Sequence, residues 1–261
     1  MIYMKLIGFL KKIGKYIFVE RKGEGKCAIT YKACDTSLGD APVAIKVLKQ
    51  TYQDTDWKTE ALKAAKVRDV PQIAYVIEVD EKTMQINGID YDLRYIVWEY
   101  VDGDLLKDVI KSNPIMADFI VEIIRQLCMG IKAMQDVNLQ HGDLHEGNII
   151  LIPPKSYEPP FSYRVKIVDF GLSKTFRGDK FKNDMDWIVS LLRKLWDKNK
   201  TYIENINIYD KKFNHSIPNL IKQLEDPSLD RRLFDPIDTV NKLESLREST
   251  EIEISEANGQ T

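Results

Sequence analysis

An α+β chain is predicted, with a sheet-rich N-terminal part carrying one helix and a larger, mainly helical C-terminal part; three features of the sequence carry that expectation. Five short runs rich in β-branched and aromatic residues, "YIFVE", "CAITYKA", "APVAIKVLK", "IAYVIEVD" and "LRYIVWEYV", succeed one another between residues 16 and 101, most of them parted by Gly- or Asp-rich breaks. A single stretch of helix formers, "DTDWKTEALKAAKV", interrupts them and is stopped by Pro71. Beyond "DGD" at 102–104, Ile120, Ile124, Leu127, Ile131 and Met134 recur at steps of 4, 3, 4 and 3, the period of a long amphipathic helix.

Taken in order, the five runs predict a five-stranded antiparallel sheet, with "INGID" turning the chain between the last two. The Asp and Thr residues that open the "DTDWKTEALKAAKV" stretch supply its caps. After the long helix, "NIILI" and "RVKIV" predict a short strand pair around the Pro-rich loop "PPKSYEPPF". Further helices are predicted at 184–198, around 217–225 and at 235–247. The expected divisions are a basic segment 1–15, a first lobe 16–101, a second lobe 102–247, and a polar, acidic tail 248–261 expected to be disordered.

The opening "MIYMKLIGFLKKIGKY" mixes Lys5, Lys11, Lys12 and Lys15 with Leu6, Ile7, Leu10 and Ile13 at helical spacing. That suits a short amphipathic helix, either packed on its own domain or docked at a membrane surface or a partner. A secretory signal is not expected, because lysines break the apolar stretch. No apolar run approaches the roughly 20 residues that cross a bilayer.

The 261 residues are 44% apolar and 30% charged with a formal net charge of -2, enough for a sizeable core and without a general pull toward nucleic acid. Any phosphate site must therefore be local. Cys27, Cys34 and Cys128 are odd in number and scattered, which argues against a disulfide framework or zinc site and for a reducing cytoplasm. Nothing in the sequence fixes an oligomeric state.

The run "LQHGDLHEGNIIL" gathers His141, Asp143, His145 and Asn148 into one loop that enters an aliphatic strand. A carboxylate and an amide oxygen five positions apart can serve a hydroxyl and a hard cation such as Mg²⁺, which takes oxygen ligands. Asp169, in "VDFGLSK", adds a second carboxylate at the end of another apolar strand. Toward the N-terminus, Gly23 and Gly25 in "RKGEGKCAITYKA" form a hairpin whose backbone N–H groups can approach phosphate oxygens. Lys46 stands mid-strand in "VAIK". Each feature alone has an ordinary structural explanation; their joint order is specific.

In that order the chain resembles the protein kinase family over roughly residues 16–247, and the resemblance implies a bilobal protein-kinase-like fold that binds ATP with Mg²⁺ in the crevice between its lobes. It implies that Gly23 and Gly25 cover the phosphates, that Lys46 holds the α and β phosphates, and that Glu60 pairs with Lys46. Ala44 would touch adenine, backbone groups of Glu99 and Val101 would pair with its edge, and the bulky Trp98 would close the pocket behind it. Asp143 would orient the attacking hydroxyl and accept its proton, while Asn148 and Asp169 would bind Mg²⁺. His141 would be a neutral strut. His145 replaces a lysine common in Ser/Thr kinases and would keep a phosphate or substrate contact, and Asp186 would hold the catalytic-loop backbone.

The departures from the family also carry implications. Only 17 positions separate Asp169 from Asp186 and no Ala-Pro-Glu motif follows, so the peptide-docking segment is truncated. Ala28 replaces the third glycine and Thr30 the usual valine, which stiffens the phosphate loop. Gly142 replaces an arginine that receives a phosphorylated activation loop, so activity is expected not to depend on modification of Ser173 or Thr175. Arg231 lies near an arginine whose usual glutamate partner is missing. The implied activity is phosphoryl transfer to Ser or Thr hydroxyls of protein substrates, in a reduced type of kinase. One alternative is a small-molecule phosphotransferase like the antibiotic and choline kinases, suggested by "HGDLHEGN" but opposed by "VAIK" and "DFG". The other is a nucleotide-binding pseudokinase scaffold, opposed by the complete set of charged positions.

Overall fold

The computed structural model describes residues 11–49, 57–86, 88–112, 114–158, 162–170, 183–204, 208–226 and 235–245. The chain divides into two units, Met1–Asp69 with Ile73–Asp102, and Val70–Gln72 with Gly103–Thr261.

The first unit is built on an antiparallel sheet of strands β1 (Lys12–Ile13), β2 (Tyr16–Glu24), β3 (Ala28–Asp35), β4 (Ala41–Leu48), β5 (Val76–Ile86) and β6 (Ile89–Glu99), in the order β1-β2-β3-β4-β6-β5. All five expected strands are present, and β1 is a sixth. It corrects the helix expected through residue 15: Gly14, at φ 54°, turns the chain so that Ile13 pairs with Tyr16 and both side chains enter the core. Residues 1–10 lie outside the described residues.

Alternation along β4 sends Val43, Ile45 and Val47 to one face and Ala44 and Lys46 to the other. The first face joins Ile29, Tyr31 and Ala33 of β3 and Leu93, Tyr95 and Val97 of β6 in a single apolar cluster with Ile13 and Tyr16. Polar groups at its border are paired: the Tyr16 hydroxyl donates to Glu78 at 2.7 Å and the Tyr95 hydroxyl to Asp80 at 2.7 Å. Lys15 bridges Asp35 at 3.2 Å and Glu78 at 3.3 Å. Because β2 and β5 lie near opposite edges of the sheet, the Tyr16–Glu78 bond shows that the sheet curls around its apolar face.

Helix α1 (Lys58–Ala65) buries Glu60, Ala61 and Ala64. Its first turn follows Trp57, which gives no side-chain cap; the Asp and Thr residues expected as caps, at 54–56, lie outside the described residues.

In the second unit, β7 (Asp104–Leu105), β8 (Ile149–Ile152) and β9 (Arg164–Ile167) form a small sheet, accompanied by α2 (Leu106–Ser112), α3 (Ala117–Asp136), α4 (Asp184–Glu204), α5 (Ile208–Leu224) and a last helix, α6, over 236–245. The five periodic residues of α3 are all buried, as its spacing requires. Two buried amides lock the helices in place. Gln126 Oε1 accepts the Val165 N–H at 2.8 Å while its Nε2 donates to the Tyr163 carbonyl at 2.8 Å, and Asn199 Oδ1 accepts the Ile115 N–H at 2.7 Å. Helix α5 begins nine residues earlier than predicted and runs through Pro218, so the proline does not end it. Among the described residues no helix is long and apolar enough to cross a membrane.

Candidate active site

In the first unit, the β2–β3 hairpin is closed by the Gly25 N–H donating to the Ala28 carbonyl at 2.9 Å. Neither Gly23 nor Gly25 has a positive φ. A Cβ at Gly23 would meet nothing within 4 Å, and at Gly25 only the Ala28 carbonyl at 3.8 Å. Local geometry and packing therefore do not require glycine at either place. Ala28, at the third-glycine position, is the buried first residue of β3.

Lys46 lies on β4 opposite Thr30 and Ile96, and its Nζ donates to both carboxylate oxygens of Glu60, at 2.9 and 2.7 Å. The pair is withdrawn from water, with side-chain exposures of 12% for Lys46 and 1% for Glu60. Ala44, two residues earlier on the same face, is registered with the buried Trp98 of β6. Glu99 ends β6; its N–H donates to the Tyr75 carbonyl at 3.0 Å and its carboxylate accepts the Tyr75 N–H at 3.1 Å, fixing the strand end that leads to Val101.

In the second unit, fully buried His141 organises the loop. Its Nε2 lies 3.1 Å from the Val168 carbonyl and its Nδ1 accepts the Asp143 N–H at 3.3 Å. A carbonyl only accepts, so the proton sits on Nε2. Burial pushes the imidazole pKa down and keeps it neutral, while its ring packs 4.9 Å from that of Phe170. The strut thus joins the Asp143 loop to the segment carrying Asp169.

Asn148 Nδ2 donates to the Asp143 carbonyl at 2.9 Å and lies 3.5 Å from Asp143 Oδ2. The Asn148 carbonyl accepts the Val168 N–H at 2.9 Å, continuing the β8–β9 ladder. That ladder sets Asn148 beside the strand end that carries Asp169. Asp169 adopts φ 65°, an uncommon state for a residue with a Cβ that costs about 1–3 kcal/mol and persists where neighbours impose it. Here Val168, bonded through both its N–H and its carbonyl, and the buried Phe170 bracket the exposed Asp169.

The carboxylate that holds the loop backbone is Asp184, which corrects the expectation for Asp186. Asp184 is buried at the start of α4 and accepts the N–H groups of His141 at 2.7 Å and Gly142 at 2.9 Å. Asp186 instead accepts the Asn183 N–H at 3.2 Å, while its own N–H donates to Asn183 Oδ1 at 3.0 Å. Two residues apart on a helix, the two carboxylates point to nearly opposite sides, so only one can reach the loop. Gly142 has φ 80°.

His145 Nδ1 accepts the Gly147 N–H at 2.9 Å and so caps the short 3₁₀ turn Glu146–Asn148. Its Nε2 stands 3.7 Å from Asp143 Oδ2. Glu146 pairs with Lys194 of α4, anchoring the same turn.

Among the described residues no group of three or more His, Cys, Asp or Glu forms a self-contained metal cage. The oxygen donors here are Asn148 and Asp169, one amide and one carboxylate. That set fits Mg²⁺, which binds through one or two protein groups and completes its shell with water and phosphate. Ser173, Thr175 and Arg231 lie outside the described residues.

The family model described as "Protein kinase domain" matches residues 16–189. A Lactococcus lactis protein named probable serine/threonine-protein kinase PknB is 31% identical over 166 residues, covering 61% of this chain and 24% of that protein. Serine/threonine-protein kinase A of Synechocystis is 29% identical over 174 residues, covering 61% of this chain and 31% of that protein. Chicken tyrosine-protein kinase SYK is 29% identical over 143 residues, covering 54% of this chain and 21% of that protein. The chain thus matches these curated relatives over about a fifth to a third of their length. The crystal structure of the Mycobacterium tuberculosis PknI kinase domain, a double mutant, has a TM-score of 0.65 at 12% identity, over 92% of this chain and 99% of that one, and so shares the fold. Since the family model spans 174 of the 261 residues, the chain belongs to the protein kinase domain family.

Proposed function

We propose that this chain is an ATP- and Mg²⁺-dependent protein kinase that transfers the γ-phosphoryl group to Ser or Thr hydroxyls. The observation that carries the proposal is the loop in which Asp143 and Asn148 are bonded to each other while Asp184 suspends the backbone before them. Phosphoryl transfer asks for positioning and charge neutralisation more than for covalent chemistry, and a loop held by buried bonds suits that demand.

In this proposal Asp143 orients the acceptor hydroxyl and takes its proton. Asn148 and Asp169 hold Mg²⁺, which when bound neutralises charge on the phosphates. Asn148 acts through Oδ1, because Nδ2 is turned to Asp143. Lys46 binds the α and β phosphates and Glu60 orients it. A buried ion pair is weak support for stability on its own account, which favours a functional reason for this one. Gly23 and Gly25 let the hairpin approach the phosphates where no side chain intervenes, with the Gly25 N–H kept by the Ala28 carbonyl. Ala44 and Trp98 border adenine, and Glu99 meets the adenine edge through its carbonyl, since its N–H serves Tyr75, with Val101 beside it. The names of the bacterial relatives favour Ser/Thr acceptors.

Activity is proposed to be independent of activation-loop phosphorylation, because residue 142 is a glycine with no charge to receive a phosphate. Loss of activity on phosphatase treatment, regained only on modification of Ser173 or Thr175, would refute this. A small-molecule phosphotransferase is the second reading, favoured by the interval of only 15 positions between Asp169 and Asp184, which leaves little chain for docking a peptide. Incubation of the purified protein with γ-labelled ATP and a cell lysate separates the two. Label in protein supports the first reading, label in a small acceptor supports the second, and label in neither refutes both.

A further inference from the structure

We infer that the two ring nitrogens of His145 have separate tasks: Nδ1 builds the turn that presents Asn148, and Nε2–H steers the Asp143 carboxylate, which makes His145 a positioning residue and not a phosphate ligand. The inference rests on the proposed reading of Asp143 as the group that receives the hydroxyl proton.

Nδ1 accepts the Gly147 N–H at 2.9 Å, so in the neutral ring the proton must be on Nε2. Nε2 is the atom that stands 3.7 Å from Asp143 Oδ2, and Asn148 Nδ2 lies 3.5 Å from the same oxygen. Two N–H donors thus converge on Oδ2. Both separations are longer than a hydrogen bond, as is common for catalytic contacts before substrate binds.

The ring is held where it stands. A Cβ on Gly147 would lie 2.7 Å from His145 Cε1 and 2.9 Å from Nδ1, so the imidazole occupies the space that only a glycine leaves. On α4, the Trp187 ring is centred 6.1 Å away, and the His145 carbonyl accepts the Asn148 N–H at 2.8 Å. Nδ1 is engaged by the turn and Nε2 is turned to Asp143, so both nitrogens address the loop itself. The pattern divides one side chain between building the loop and aiming its acid.

His145→Asn separates the two tasks. Asparagine is a favoured cap whose Oδ1 can accept the Gly147 N–H, but it is too short to bring a donor to Asp143. The variant is expected to unfold at the same denaturant midpoint as the wild type, with the KM for ATP unchanged and kcat lower by about 10- to 100-fold, the range for losing a partner that orients a functional group. Introduced into Asp143→Asn, it is expected to cause no further loss, because its effect runs through Asp143. An unchanged kcat in His145→Asn, a raised KM for ATP, or an undiminished further loss in the Asp143→Asn background would each overturn the inference. Full activity in Asp143→Asn alone would instead overturn the reading on which the inference rests.

Discussion

Asp184 Oδ2 accepts the backbone N–H of His141 at 2.7 Å, a bond between two buried residues 43 positions apart in the chain. With the Oδ1 bond to Gly142, one carboxylate satisfies two successive loop N–H groups. Asp184→Ala would leave both donors without it and is expected to cost about 3 kcal/mol. Asp186→Ala removes the carboxylate that accepts the Asn183 N–H at the start of α4 and should cost about 1 kcal/mol. Urea denaturation of both variants checks the ranking, and equal losses would contradict it.

The positive φ of Gly142, 80°, makes a second prediction. A Cβ there would meet no neighbour within 4 Å, so the cost of Gly142→Ala is purely conformational, about 1–2 kcal/mol. The loss should appear as a lower denaturation midpoint with an unchanged m-value. A neutral or stabilising substitution would show that the loop relaxes out of this geometry.

The Lys46–Glu60 pair predicts asymmetry between single and double substitution. Lys46→Met removes two charge-assisted bonds from a carboxylate that is 1% exposed, at an expected cost of about 3–5 kcal/mol. Adding Glu60→Leu removes the buried charge as well and should recover most of that loss, although neither variant should transfer phosphate. A double-mutant cycle gives the coupling; additive losses would show that the two groups do not depend on each other.

His141 predicts a pH dependence of stability. Burial holds its folded pKa below the ordinary 6.5. Between the folded value and 6.5 the unfolded chain therefore binds a proton that the folded chain refuses, so stability rises with pH through that window and falls as the solution is acidified. Urea unfolding at about pH 7.5 and about pH 5.5 should show a larger loss for the wild type than for His141→Gln. Equal losses would mean that the imidazole accepts its proton without cost.

Much of this was legible in the sequence, because the signals were periodic or local. The β-branched run around Val43, Ile45 and Val47 located β4, and the steps from Ile120 to Met134 located α3. Strand β1 was not legible: two residues carry no period, and Lys11, Lys12 and Lys15 among apolar neighbours fit a helix equally well. Asp184 and Asp186 are indistinguishable as letters in "DMD"; only the rotation of α4 decides which one faces the loop. The Lys15 bridges to Asp35 and Glu78 join positions 20 and 63 apart, and no local pattern announces such a meeting. The division of labour in His145 depends on where each ring nitrogen points, a matter of conformation and not of composition.

The central claim, that this chain moves phosphate from ATP by means of Asp143, is tested most directly by Asp143→Asn assayed for both turnover and nucleotide binding. Turnover should fall by roughly 10²–10⁴, the range for losing a positioned base, while calorimetry shows Mg²⁺–ATP bound as by the wild type. Wild-type turnover in this variant, or no binding of Mg²⁺–ATP by the unmodified protein, would contradict the account.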